Sequence, residues 1–81
     1  MNIDEIKPVV FGILRGIAPE SDPSTLDPDE NIRQALDIDS FDALNFFVRI
    51  NDTFGISVPE SDYGRLNTMS EILGYLSNRM E

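Results

Sequence analysis

The side chains in this sequence that could do chemistry all carry oxygen. The 81 residues include no cysteine and no histidine. Thiolate nucleophiles, imidazole bases, disulfides and the usual zinc donor sets are therefore excluded together. A serine nucleophile such as Ser40 would have to rely on Lys7, the single lysine, and Lys7 lies in a segment with no other polar group suited to catalysis. Asp37 and Asp39 could in principle act as acid and base, but they sit on an exposed acidic stretch with no apolar surroundings to tune them for it. Asp27-Pro28-Asp29-Glu30-Asn31 supplies oxygens at the first, third and fifth places of a calcium loop. The required glycine is replaced by Ile32 and the bidentate glutamate by Ile38. A loop starting at Asp37 fails in the same way, at Asp42 and Val48. No catalytic residue and no metal ligand is assigned.

What remains is a hydroxyl in a particular place. In Leu36-Asp37-Ile38-Asp39-Ser40-Phe41-Asp42, Ser40 stands where a long irregular segment ends and the most apolar helix begins. A helix start leaves N–H groups unpaired and carries positive partial charge. A phosphate ester on Ser40 would sit in that field, which offsets part of the repulsion from Asp39 and Asp42. Taken alone, Asp-Ser at a helix start is common and is better explained by capping, with Ser40 or Asp39 serving only as an N-cap.

The elements that must position Ser40 follow from periodicity. Ile3, Ile6, Val10, Ile13, Leu14 and Ile17 recur at helical spacing, with Asn2 as N-cap and Ala18-Pro19 as the stop. Pro8 removes a hydrogen bond inside that segment, so a kinked or late-starting helix is expected. From Pro19 to Asp39 the chain is polar and proline-rich. Leu26, Ile32 and Leu36 are candidate anchors, and a short helical turn is expected over Glu30 to Leu36. A loop of this length in a small domain tends to be functional or disordered. Ser40 to Phe54 reads as a helix ended by Gly55. Its face of Ala43, Phe46, Phe47, Ile50 and Phe54 is joined by a second stripe of Phe41, Leu44 and Val48. Together they cover an arc of roughly 200°, beyond the ~100° that a one-sided core requires. A central helix in a small bundle could bury all of it; the sharper expectation is that the surplus stripe stays partly exposed for a partner. Ile56 and Val58 are expected to point inward, and Glu60 to Gly64 to form a short helix. Thr68-Met69-Ser70-Glu71 is a capping box opening a last helix with Met69, Ile72, Leu73, Leu76 and Met80 on one face. No segment alternates as a strand. The pattern is an all-α, small antiparallel helical bundle with a long loop between helices 1 and 2, one domain over residues 1–81.

Composition bounds the partners. Fifteen acids against six bases give a net charge of −9. Nucleic acid would be repelled, whereas basic protein surfaces would be attracted. Residues 20–39 hold seven acids against Arg33 alone. No apolar run is long enough to span a bilayer, and the N-terminus lacks the basic start of a signal peptide, so a cytoplasmic monomer is expected.

The run from Leu36 to Asp42, the following helix to Phe54-Gly55-Ile56-Ser57-Val58-Pro59, and the Thr68 to Leu76 helix together resemble the acyl carrier protein family. The resemblance covers nearly the whole chain and is sharpest at Asp39-Ser40. It implies a four-helix bundle with a short third helix, and 4′-phosphopantetheine on Ser40, donated by coenzyme A through a phosphopantetheinyl transferase. The thiol of that arm would carry acyl or aminoacyl groups as thioesters. A loading ligase and downstream transferases or synthases of fatty-acid, lipid, polyketide or related biosynthesis would be the partners. It further assigns docking to Asp39, Phe41, Asp42, Leu44 and Val48.

The sequence departs from fatty-acid carriers at Asp37, where they usually have Gly, and at Phe41, where they usually have Leu. The acid is displaced from the docking helix into the loop before it. These departures imply a specialised stand-alone carrier, and the phenylalanines of the helix imply little room for a long acyl chain. The alternative is an acidic helical adaptor that docks through Phe41, Leu44 and Val48 with no prosthetic group.

Overall fold

Local capping chemistry sets most of the element boundaries in the computed structural model, which describes residues 2–80. Helix α1 spans Ile3–Ile17. The Asn2 side chain accepts the Glu5 amide at 3.0 Å, and Glu5 accepts the Asn2 amide at 3.2 Å. This reciprocal box satisfies two orphan donors and starts the helix at once. The late start expected from Pro8 is therefore not observed: Pro8 lies inside α1, beyond the capped first turn, where its missing N–H removes a single bond.

Leaving α1, the chain makes a 3-10 turn at Pro23–Thr25, capped by Asp22. Pro23 is fully buried, so a proline of the polar, proline-rich segment is also a core anchor. Ile32 and Leu36 are buried as expected, and Leu26 is partly buried against the core. The expected helical turn is helix α2, Ile32–Ala35. Backbone bonds tie this stretch to the start of the last helix. The Ile32 amide donates to the Asn67 carbonyl at 2.9 Å and the Ser70 amide to the Pro28 carbonyl at 3.0 Å. An isolated bridge pairs Asn31 with Thr68, and no strand occurs among the described residues.

Helix α3 spans Ser40–Phe54 and ends at Gly55, whose φ of 66° suits a residue without Cβ. The segment after it is held by Asn51, whose side-chain oxygen accepts the Val58 amide at 3.0 Å. Val58 is buried and Ile56 half-buried. A 3-10 helix covers Glu60–Arg65, and helix α4 spans Met69–Arg79 behind the Thr68–Glu71 capping box.

Helix α1 is the common partner of α3 and α4. Its Ile6, Val10 and Leu14 are completely buried, and with Phe46, Phe47, Ile50, Ile72 and Leu76 they form one continuous core. The fold is the expected all-α class.

Candidate functional site

The site is built where α2 turns back on α3. The Ile38 amide donates to the Arg33 carbonyl at 2.9 Å, a six-to-one closure that requires a left-handed residue between them. That residue is Asp37, with φ 55°. The same closure ends α3, where the Ile56 amide reaches the Asn51 carbonyl at 3.2 Å and glycine fills the left-handed place. Asp37 stands where carriers of the resembled family usually have glycine, and the backbone shows what that glycine would be for.

This turn delivers two side chains to one point. Asp39 is the N-cap of α3, its carboxylate accepting the Asp42 amide at 2.8 Å. Ser40 is the first helical residue and is exposed, and its hydroxyl takes no part in the cap. The two capping candidates of the sequence are thereby separated. Arg33 reaches across from α2: its Nη2 donates to Ser40 Oγ at 3.1 Å, and its Nε lies 3.4 Å from the Ile38 carbonyl. Lys7, the alternative cation for a serine nucleophile, lies over the Phe11 ring instead, 5.7 Å from its centroid. In the acidic loop, Asp27 Oδ1 accepts the Asp29 amide at 2.9 Å, so this carboxylate closes its own turn.

Beside Ser40 opens a cavity of about 290 Å³, walled by Ala43, Phe46 and Phe47 of α3, Tyr63 of the 3-10 helix, and Leu66 and Ile72. Arg33 and Ser40 stand among its lining residues. A hydroxyl, a guanidinium and an apolar recess thus adjoin one another. An ester-linked phosphate with a flexible arm fits this set: the anion would meet Arg33 and the helix start, and the arm would reach the recess. Along α3, Phe41 is 76% exposed, Leu44, which also lines the cavity, 46%, and Val48 45%. The surplus stripe is therefore solvent-facing, with Asp39 and Asp42 at its upper end.

The far wall of the cavity is fixed by a knot that the sequence did not disclose. Asp62 is 8% exposed although charged. Its carboxylate accepts the Tyr75 hydroxyl at 2.8 Å, a hydrogen bond from Arg65, and an ion pair with Arg79 at 3.5 Å. The hydrogen bonds from Tyr75 and Arg65 hold this carboxyl below the ordinary value of 3.8, against the opposing effect of desolvation. Burial, and then the bond to Asp62, push the Tyr75 phenol above 10.0. The knot pins the 3-10 helix to α4 and so sets Tyr63 against Phe47, ring centroids 4.2 Å apart and stacked. Arg33 was visible in the sequence only as the one base among seven acids. Asp62 had no sequence signal beyond Tyr75 and Arg79 standing four apart on α4.

Residues 9–76 match the family described as the phosphopantetheine attachment site. The chain is 24% identical over 59 residues to an acyl carrier protein of Thermosynechococcus vestitus, covering 73% of each protein. It is 33% identical over 55 residues to an acyl carrier protein of Rhodococcus erythropolis, covering 68% of this chain and 60% of the relative. It is 28% identical over 60 residues to the meromycolate extension acyl carrier protein of Mycobacterium tuberculosis, covering 74% of this chain. The matched region is about half the length of that mycobacterial relative, 52%.

Proposed function

The chain belongs to the phosphopantetheine-attachment family that includes the acyl carrier proteins, and from that premise we propose that Ser40 is the residue that bears the group. The protein is a carrier with a covalent 4′-phosphopantetheine and not an enzyme. In the proposed loading step, Ser40 Oγ forms a bond to the phosphorus of coenzyme A that carries the pantetheine. The P–O bond within the pyrophosphate breaks, adenosine 3′,5′-bisphosphate leaves, and the hydroxyl proton passes to a base of the transferase. Once attached, the arm supplies a terminal thiol that holds an acyl or aminoacyl group as a thioester.

One observation carries the assignment. Ser40 is exposed at the first turn of α3 with its hydroxyl free of the cap, because Asp39 already closes the helix. A serine kept only for capping would occupy the position Asp39 holds. The exposed Phe41, Leu44 and Val48, with Asp39 and Asp42, form the surface on which a transferase, a loading ligase and later acyl-handling enzymes would dock. Large apolar side chains rimmed by acid fit partners whose own surfaces combine an apolar cleft with basic residues. We place this work in the cytoplasm, in a specialised acyl or aminoacyl pathway. The adaptor alternative leaves the exposed hydroxyl and the recess beside it without a purpose.

The recess bears on cargo. At about 290 Å³ it stands at the small end of ligand pockets, which run from roughly 300 to 1,000 Å³. Phe46 and Phe47 fill the ground beneath it. Short cargo is therefore expected to be sheltered and long cargo to remain outside. Loading a series of chain lengths and following thioester hydrolysis checks this. Slowed hydrolysis of a long-chain thioester, together with shifted NMR signals of Phe46 and Phe47, contradicts it.

The attachment itself is tested by intact mass after incubation with coenzyme A and a broad-specificity transferase. Wild type should gain one phosphopantetheine and Ser40→Ala none. The tryptic fragment 34–49 contains Ser40 as its only hydroxyl-bearing residue, so a gain on that fragment locates the ester.

A further inference from the structure

Arg33 is the only base between residues 20 and 39, among seven acids. Among the described residues it is one of three bases, with Lys7 and Arg49, that form no ion pair. Arg15 pairs with Asp22, and Arg65 and Arg79 pair with Asp62. Arg33 has no carboxylate within 4.0 Å among the described residues, although Asp37 and Asp39 are near it in the chain. Its polar contacts are the neutral Ser40 hydroxyl at 3.1 Å and the Ile38 carbonyl at 3.4 Å.

The backbone holds it there. The Ile38 amide donates to the Arg33 carbonyl while Arg33 Nε reaches the Ile38 carbonyl, so main chain and side chain lie along the same return. The left-handed Asp37 makes that return possible. The guanidinium also borders an open polar groove lined by Asn31, Gln34, Asp37 and Asn67. A second oxygen of an anion on Oγ therefore has room beside it. Guanidinium pairs with phosphate by parallel N–H bonds, a geometry that a lone hydroxyl cannot complete.

A phosphodiester at Oγ places one more negative charge beside Asp39 and Asp42. The Asp42 amide is already taken by Asp39, so that donor is lost to the phosphate. Arg33 supplies the missing positive charge at hydrogen-bond distance. We propose that Arg33 is a built-in counter-ion for the phosphate on Ser40, a positioning residue that holds the base of the arm against the α2–α3 turn. This rests on the reading of Ser40 as the attachment residue.

The test crosses attachment with substitution. Apo and holo protein are prepared as wild type, Arg33→Gln and Arg33→Lys; the mass of tryptic fragment 34–49 shows where the group sits in wild type and Arg33→Lys, and tandem fragmentation of the longer 16–49 peptide shows it in Arg33→Gln. In wild type, attachment should shift the Arg33 Nε–H signal and slow its exchange with water, leaving Arg65 unchanged. The change in unfolding constant caused by attachment should differ between wild type and Arg33→Gln by about twofold to fivefold, the range of an exposed ion pair. That difference should collapse in high salt. Arg33→Lys should recover part of it, as a point charge without the planar fork. An Arg33 signal indifferent to attachment on Ser40, or an Arg33→Gln protein that responds as wild type does, overturns the inference and leaves the Ser40 reading standing. A group found on another residue, or on none, overturns both.

Discussion

Two of the places where this molecule sets arginine against oxygen are opposites. At Asp62 a carboxylate is nearly buried, and Tyr75, Arg65 and Arg79 all point at it. Every charge has its partner, and the cluster locks the Glu60–Arg65 helix onto α4. At Ser40 the oxygen is neutral and exposed, and one guanidinium points at it with no carboxylate in reach. The first cluster is complete in the folded chain; the second would be completed by the phosphate proposed for Ser40. Completion makes structure, and an unfilled hydrogen-bonding geometry at the surface makes a place for chemistry. The same small domain needs both, because the knot holds Tyr63 and the wall of the recess that Ser40 overlooks.

Substitutions separate the two. Ser40→Ala should have the largest functional effect and almost no structural one. Attachment falls to nothing, while stability changes by less than about 0.5 kcal/mol, as for a surface site outside any cap. Denaturant unfolding checks the second half, and a large loss would mean that Ser40 shares the capping role with Asp39. Tyr75→Phe should do the reverse. It removes a hydrogen bond to a charged group and costs about 1.5 kcal/mol, with faster amide exchange over Glu60–Arg65 and attachment at Ser40 unaffected.

Acid should distinguish the two places as well. The folded-state pKa of Asp62 lies below 3.8, so its contribution is fully present above that value and is lost as pH falls through the lower, folded-state one. Stability measured against pH should therefore fall less steeply below 3.8 in Asp62→Asn than in wild type. Equal slopes would remove Asp62 from the acid response. The smallest effect is expected at Asp37, whose left-handed backbone favours glycine. Asp37→Gly should raise stability by about 0.5–1 kcal/mol in denaturant unfolding, because the Ser40 end carries a strain that the glycine-closed end of α3 does not.

Much of this was legible before any coordinates. The starts of α3 and α4, the glycine stop at Gly55 and the exposed Phe41–Leu44–Val48 stripe all follow from capping side chains and helical periodicity. Those are interactions between residues three or four apart, so the chain states them locally. Pro8 alone predicts a kinked or late-starting α1, whereas the Asn2 cap, closed by Glu5, starts the helix at Ile3. Pro23 interrupts the polar loop, yet its ring also fills core space.

What sequence alone determined is the class of chemistry. The absence of histidine and cysteine and the acidic balance exclude most side-chain catalysis, and the resemblance to acyl carrier proteins, not the Asp39-Ser40 helix start alone, points to Ser40 for modification. Tertiary structure decided what surrounds that hydroxyl. Arg33 is seven residues from Ser40 and Tyr75 thirteen from Asp62. Seven residues would be two turns of a single helix, but Arg33 and Ser40 lie on different helices with the left-handed Asp37 between them, and thirteen matches no helical repeat, so no local pattern announces either pair. Only the folding of α2 back on α3, and of the 3-10 helix onto α4, brings those charges within hydrogen-bond reach, where their strength depends on separations of a few ångströms.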